Sequence, residues 1–397
     1  MATARKPISR PSRPARRWPL VVGVLAVAAI GVGAGAFALQ QAAEGPTAQA
    51  DAQEGRVTLM AVGDNLTNEV LGAYADSCAG GMGDGDYDYR PLYEAVKPYI
   101  EAADLAYVCQ EVHLDDDLGP KGYPSFNATS QMADALVDTG FDLVAGASNH
   151  CYDWASYGAV EHSRQTFDES PLAYTGTATS QEQADELVTV ERNGIRFAFL
   201  AYTYGVNGYA ADDLPPYAVN LMDEDRIRTD VQRAHEQADV VLVGMHWGTE
   251  NTHELDAEQQ RYAQLLADLD VDVVLGSHPH VIQPLQWVEG AGGNQTLVAY
   301  SMGNFISDHE TPALKNELGG MLGCAFVRDG DDVRVEDVQW WPLVNHTEGG
   351  QYRVYTLSDY TVKLAESNEA LAGVHLPLEA LRSLDREVMG KEFRIND

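Results

Sequence analysis

The order of apolar and polar positions divides the chain into three unequal parts. Leu20 to Leu39 is an unbroken uncharged run, and residues 42–54 are small and polar without a period. From Arg56 onward, short apolar stretches alternate with longer ones of helical period. Arg56 to Val62 alternates as a strand does. Asp104 to Cys109, Phe141 to Gly146, Asp239 to Met245 and Val271 to Leu275 are strand-length apolar runs. Helical spacing covers Pro91 to Ala103, with Pro in the first turn, then Gln131 to Thr139, Ser156 to Asp168, Asp223 to Gln237 and Asp256 to Leu269. Leu187 to Glu191 and Ile195 to Ala201 flank Arg192-Asn193-Gly194, a hairpin signal. Val281 to Trp341 reads mostly as strands. From Tyr352 the acidic, amphipathic tail reads as one or two peripheral helices. Strand–helix alternation followed by strands predicts an α/β fold with a substantial β layer.

The first apolar run changes the picture of location. Its 20 residues reach about 30 Å as a helix, the thickness of a bilayer's hydrocarbon core. Six basic residues and no acidic one occupy residues 1–43. By the positive-inside rule the N-terminus stays cytoplasmic and the rest lies outside. The expected organisation is a basic cytoplasmic segment (1–17), a transmembrane anchor (18–41), a linker (42–54), a folded domain (55–350) and an acidic helical extension (351–397). The rival reading is a cleaved signal peptide with Ala48-Gln49-Ala50 as its site. Both put the folded part outside the cytoplasm, and the anchor would hold it at the cell membrane.

The remainder of the chain keeps 20 of the 26 basic residues and all 60 acidic ones, a net of −40. Such a surface repels phosphate backbones and argues against a nucleic-acid partner. Four cysteines, Cys78, Cys109, Cys151 and Cys324, permit two disulfides in an oxidising compartment or remain as buried thiols.

The chemistry gathers where strands end. In open α/β sheets, ligands bind beyond the carboxyl ends of the strands. Successive predicted strands end at Asp64-Asn65, at Glu111, at Asn149-His150 with Asp153 beyond, at His246, at His278 and His280, and at Asn304. Mixed carboxylate, imidazole and amide donors suit Mn, Fe or Zn. The set has room for one ion or two, with Glu111 as the candidate bridge and His150 as the candidate general acid.

The strings AVGDNL, YVCQE, GYPSFN, ASNHCYDW, YTYGVNG, HWGTE, GSHPHVIQP and YSMGNFIS stand in this order between residues 57 and 310. In them the chain resembles the CapA family, bacterial proteins associated with poly-gamma-glutamate capsule synthesis. That family in turn resembles metallophosphoesterases of the calcineurin-like fold. The resemblance implies a four-layer α-β-β-α sandwich preceded by one transmembrane helix. It implies that Asp64, Glu111 and His280 hold one ion, and that Glu111, Asn149, His246 and His278 hold the other. His150, with Asp153, would protonate the leaving group. Asn65, Phe126, Asn127, Tyr204 and Asn304 would line a substrate cleft, with Tyr202 beside Tyr204.

The chain departs from that pattern at three places. Leu66 stands where the phosphoesterases have a histidine. Cys109 stands where the family has Asn, and Cys151 follows His150 where the family has a small residue. A Cys109–Cys151 disulfide is one expectation from these departures, and a thiolate metal ligand is the other. The function expected is metal-dependent hydrolysis of a phosphoester or an anionic capsule polymer. The alternative is a non-catalytic, metal-bound component of a membrane synthase and export complex.

Overall fold

The structure is a computed structural model and describes residues 54–308 and 313–397. The expected cytoplasmic segment, transmembrane anchor and most of the linker lie outside the described residues. Among the described residues, no helix is long and apolar enough to cross a membrane.

Two mixed sheets form the body. The first is nine-stranded and centres on β1 (Arg56–Asn65), with β2 (Leu105–Gln110), β3 (Leu143–Ala145) and β4 (Ala173–Thr175) parallel to it in that spatial order. The second holds the antiparallel hairpin β5 (Val188–Arg192) and β6 (Ile195–Thr203), then β7 (Val240–His246) and β8 (Val273–Ser277). It continues with β9 (Ile282–Glu289) and β10 (Gln295–Met302); β10 runs parallel to β8 and carries β9 on its outer edge. The chain then returns to the first sheet. There β11 (Asn304–Ile306) extends the carboxyl end of β1, and β12 (Leu318–Asp329), β13 (Asp332–Glu348) and β14 (Gln351–Thr356) form an antiparallel wing. Each sheet thus has a parallel centre whose strands point the same way, so their carboxyl ends share an edge.

Alternation assigns the faces. Leu105 and Tyr107 of β2 point between the sheets, to meet Phe197 and Phe199 of β6 and Leu242 of β7; Ala106 and Val108 point outward. Tyr107 meets Phe199 edge-on at 5.7 Å, and Phe197 meets Phe326 at 5.0 Å. The outward faces are buried by helices. On the first sheet lie α1 (Glu69–Ala79), α2 (Gln131–Thr139) and α3 (Ala159–Glu169). On the second lie α4 (Glu224–His235) and α5 (Ala257–Asp268), through Ile227, Val231, Tyr262 and Leu266. Two helix layers therefore enclose two sheet layers.

The structure departs from the sequence reading at several points. The span Pro91 to Ala103 is two short helices, Arg90–Tyr93 and Lys97–Glu101. Pro98 lacks the amide hydrogen that a continuous helix would use, so a new helix starts there. Residues 351–356, expected helical, are the edge strand β14, whose alternate residues Tyr352, Val354 and Thr356 are buried. Helices follow only after it, chiefly α6 (Pro377–Met389). The expected Cys109–Cys151 disulfide is absent, and all four cysteines are free thiols. Cys151 sits with Leu214, Ala218 and Val219 in a small separate cluster. Cys109 lies at the end of β2 against His246.

Helix α6 seals one edge of the inter-sheet core with Leu378, Leu381 and Met389. The Trp340 indole N–H donates to Asp385 at 3.0 Å, and the other carboxylate oxygen has no partner. Burial pushes the Asp385 carboxyl up to about 7. In the unfolded chain it ionises near pH 4. Between these values the folded state binds the extra proton, so stability falls as pH rises through the window. Asp385→Asn keeps an acceptor for Trp340 and removes that loss. Relative to wild type, its Tm is expected to climb by a few degrees from pH 4 to pH 8, on the order of 1–3 kcal/mol. Thermal melts with a constant difference across that range would contradict the assignment.

Candidate metal centre

The site is built where the carboxyl ends of the parallel strands meet. Close approach there depends on glycine. A Cβ on Gly63 would fall 1.9 Å from the Gly303 carbonyl oxygen, and one on Gly276 would fall 2.0 Å from the Tyr300 carbonyl oxygen. The Asp64 amide also donates to the Gly303 carbonyl at 2.9 Å, tying β1 to the start of β11. After β8, both His278 and His280 adopt left-handed backbone, with φ of 96° and 56°. Such conformations in residues other than glycine cost about 1–3 kcal/mol each and gather at functional sites. Here they turn two imidazoles back over the strand ends. The His278 amide hydrogen is directed at Asp64, 3.1 Å from Oδ2.

The structure brings all six expected ligands together. Asp64 and Glu111 are fully buried, and Asn149, His246, His278 and His280 nearly so. His280 Nδ1 lies 3.5 Å from Asp64 Oδ2, and its Nε2 lies 3.7 Å from Glu111 Oε1. His246 Nε2 lies 2.9 Å from Asn149 Oδ1 and 3.8 Å from Glu111 Oε1. Its Nδ1 lies 3.0 Å from Ser277 Oγ and 3.9 Å from Asp64 Oδ1. The rings of His246 and His278 are 4.8 Å apart.

Burial dominates the electrostatics. It pushes Asp64 up to about 7 and Glu111 well above the carboxylate range, and the Asp64 charge pushes Glu111 further. It also drives His278 down to about 4 and His246 well below the usual imidazole range. Acids and imidazoles alike resist charge in this pocket. Both Glu111 oxygens and His278 Nδ1 lack any hydrogen-bond partner. Buried polar atoms left unpaired are rare, and an unseen ion is one recognised cause. The donor set therefore fits a cation.

The contacts of His280 with Asp64 and Glu111, and of His246 with Asn149 and Glu111, are those the resemblance implies, and the donors also fall into two compact groups. Asp64, Cys109 and His246 form one group, and Glu111, His278 and His280 another, each with its donor atoms within 4.8 Å of one another. Leu66 offers nothing to either, because it packs into the helix-side core.

His150 and Asp153 form a pair beside these groups. His150 Nδ1 is 2.7 Å from Asp153 Oδ2, which also accepts the Phe126 amide hydrogen at 2.8 Å. The Phe126 ring stands edge-on to the imidazole at 4.7 Å. Tyr204, 44% exposed, lies over His278 at 4.7 Å and forms a wall of the mouth.

Other expected cleft residues face elsewhere. Asn65 is fully buried, with its amide on Gln110 and its carbonyl taking the Tyr93 hydroxyl, on the helix side of β1. Asn127 uses its amide to close the loop at Asp115 and Gly119. Tyr202 points into the opposite helix layer, toward Asp230. Asn304 stands behind the ligands; its Oδ1 is 3.0 Å from His280 Nδ1. A cavity of about 780 Å³ lies along Thr58, Met60 and Trp341, and none of these donors lines it.

Several participants escaped the sequence reading. Ser277 contacts His246, and Asn207 Nδ2 lies 3.3 Å from His150 Nε2. Ser148 donates to the Glu111 carbonyl at 2.6 Å and accepts the His150 amide at 3.1 Å. Each sits inside or next to a string already conspicuous for its ligands, which was the available signal.

Comparisons with known proteins identify the chain's relatives. A family model described as "Bacterial capsule synthesis protein PGA_cap" matches residues 58–309. The chain is 27% identical over 229 residues to "Capsule biosynthesis protein CapA" of Bacillus anthracis, covering 56% of this chain and 50% of that one. It is 29% identical over 175 residues to "PGA biosynthesis protein CapA" of Bacillus subtilis (strain 168), covering 44% of each. The chain thus spans about half the length of these relatives. Among solved structures, a putative 5'-nucleotidase from Staphylococcus aureus aligns with TM-score 0.43 and 12% identity, over 84% of this chain and 58% of that one. The calcineurin-like phosphoesterase YfkN from Bacillus subtilis aligns with TM-score 0.40 and 12% identity, over 83% and 99%. With the family model spanning well over half of its length, the chain belongs to the bacterial capsule synthesis protein family PGA_cap.

Proposed function

We propose that this chain is a membrane-anchored, extracytoplasmic capsule-biosynthesis protein of the poly-gamma-glutamate type, and that it hydrolyses its substrate at a one- or two-metal centre. Glu111 carries the reading. A carboxylate shut away from water, with neither oxygen hydrogen-bonded and two imidazole nitrogens within 3.8 Å, has the setting of a metal ligand. The names of the relatives support the capsule process, and the apolar run at 20–39 behind a basic flank supports the tether.

Asp64, Glu111, Asn149, His246, His278 and His280 would hold Mn, Fe or Zn. When bound, such an ion polarises an anionic oxygen and acidifies water at neutral pH. The chain's own residues do the rest. Asp153 accepts from His150 Nδ1 and fixes the ring; a ring that also carries a proton on Nε2, beside Asn207, would pass it to the departing group and be left neutral. Phe126 confines that ring by edge contact, and Tyr204 narrows the mouth over His278. The substrate class is a phosphoester or a linkage of the capsule polymer itself.

A second reading, a non-catalytic metal-bound polymer-binding component of a synthase and export complex, is favoured by Leu66. That side chain is packed among apolar neighbours where the resemblance implies a ligand, so one ion position has fewer donors.

Purified protein is expected to carry Mn, Fe or Zn by elemental analysis. A His278→Ala/His280→Ala double variant should lose it while keeping a wild-type circular dichroism spectrum; metal-free wild type would refute the metal reading. In a screen of phosphomonoesters, phosphodiesters and gamma-glutamyl peptides, one class should turn over. His150→Gln should lower kcat on it by about 10²–10⁴-fold with metal content unchanged. Polymer binding without turnover, equal in wild type and His150→Gln, would select the second reading.

A further inference from the structure

Cys109 is one residue from the end of β2, in register with Asp64 of β1. Paired strand residues in register share a face, so both side chains enter the same pocket. Cys109 is 1% exposed, and its Sγ lies 3.9 Å from His246 Nδ1. Its surroundings are a carboxylate and an imidazole rather than the apolar packing usual for a buried thiol.

The orientation of His246 decides which of its atoms is available. Nε2 is 2.9 Å from the Asn149 carbonyl oxygen, so the ring proton belongs there. That leaves the lone pair on Nδ1, the atom that faces the Ser277 hydroxyl at 3.0 Å and Asp64 and Cys109 at 3.9 Å. Metal-bound histidines commonly donate their other N–H to such a carbonyl. Through this contact Asn149 orients the His246 ring. The neighbouring Glu111, with both oxygens unpaired, and His278, with Nδ1 unpaired, show that the pocket is built for something absent from its hydrogen-bond network.

We infer that the centre contains a thiolate. Cys109 Sγ, His246 Nδ1 and an Asp64 oxygen form a sulfur–nitrogen–oxygen set, beside the nitrogen–nitrogen–oxygen set of Glu111, His278 and His280. The first set selects thiophilic ions such as Zn, Fe(II) or Co(II) over Mn and Mg. On coordination the thiol releases its proton to solvent and the sulfur lone pair forms the bond to the ion; no electron is transferred. This inference rests on the reading that the pocket binds metal, and cobalt separates the two.

Full-length apo protein in detergent is titrated with Co(II), and with Zn(II) against Mn(II). Wild type should develop a thiolate-to-cobalt charge-transfer band in the near ultraviolet. Cys109→Ser should lose that band and keep visible d–d bands from the second set. The variant should also bind Zn(II) at least about tenfold more weakly, with Mn(II) affinity little changed. Cobalt uptake by wild type without the band overturns the thiolate and leaves the metal reading intact. A band that persists in Cys109→Ser overturns it too. No cobalt uptake overturns both. Because the decisive spectrum is that of wild type, a variant that fails to fold does not protect the idea.

Discussion

The constraint on which the structure turns is two carboxylates buried side by side without a basic partner. Among the described residues, the ion-pair partners of Asp64 and Glu111 are histidines alone. Burial itself suppresses the charged form of those histidines. A buried acid without compensation costs on the order of several kcal/mol. The pocket can relieve that cost by keeping its acids protonated or by enclosing a cation. Protonation satisfies little, since both Glu111 oxygens would still lack partners. A divalent ion would satisfy the acids and the His278 nitrogen that lacks a hydrogen-bond partner together.

The fold meets this constraint by topology. Parallel strands in both sheets deliver their carboxyl ends to one edge, so residues more than two hundred positions apart in sequence converge there. Convergence at ligand distance needs backbones closer than a side chain allows, hence Gly63 and Gly276. It also needs a strand exit that reverses sharply, hence left-handed His278 and His280. The inter-sheet aromatics and the two helix layers supply the packing energy that holds such strain in place.

The six candidate ligands were legible because strand ends are legible: an apolar run, a stop, then an acid, an amide or an imidazole. The direction of each side chain was not. The pairing of β1 with β2 shifts register between Ala61 and Asp64, and a one-residue slip reverses which face a residue occupies. That irregularity sends Asp64 into the site and Asn65 to the helix side, which the alternation of Arg56 to Val62 could not foretell. Helix α1 was hidden by Gly72, a poor helix residue retained because a Cβ there would strike Pro120 at 2.3 Å. Strand β14 was hidden because its exposed positions are long and polar and the acidic tail follows at once. The disulfide expectation failed for a related reason: sequence proximity to the site placed Cys109 and Cys151 together, whereas the fold assigns them to different clusters.

An acidic protein proposed to act on an anionic polymer looks self-defeating, and the screening length resolves the conflict. At physiological salt, exposed charges further apart than about 8 Å interact weakly. The net −40 outside the N-terminal segment therefore acts as a diffuse solubilising surface rather than a barrier at the pocket mouth. Inside the pocket, low dielectric and exclusion of water make a single dication the dominant charge. Substrate would then be selected at contact range, by an anionic oxygen that reaches past Tyr204 to the ion. The His150–Asp153 pair is held where such a group would arrive, by a hydrogen bond and an aromatic edge that pure binding would not require. On that ground hydrolysis accounts for more of the site than capture does.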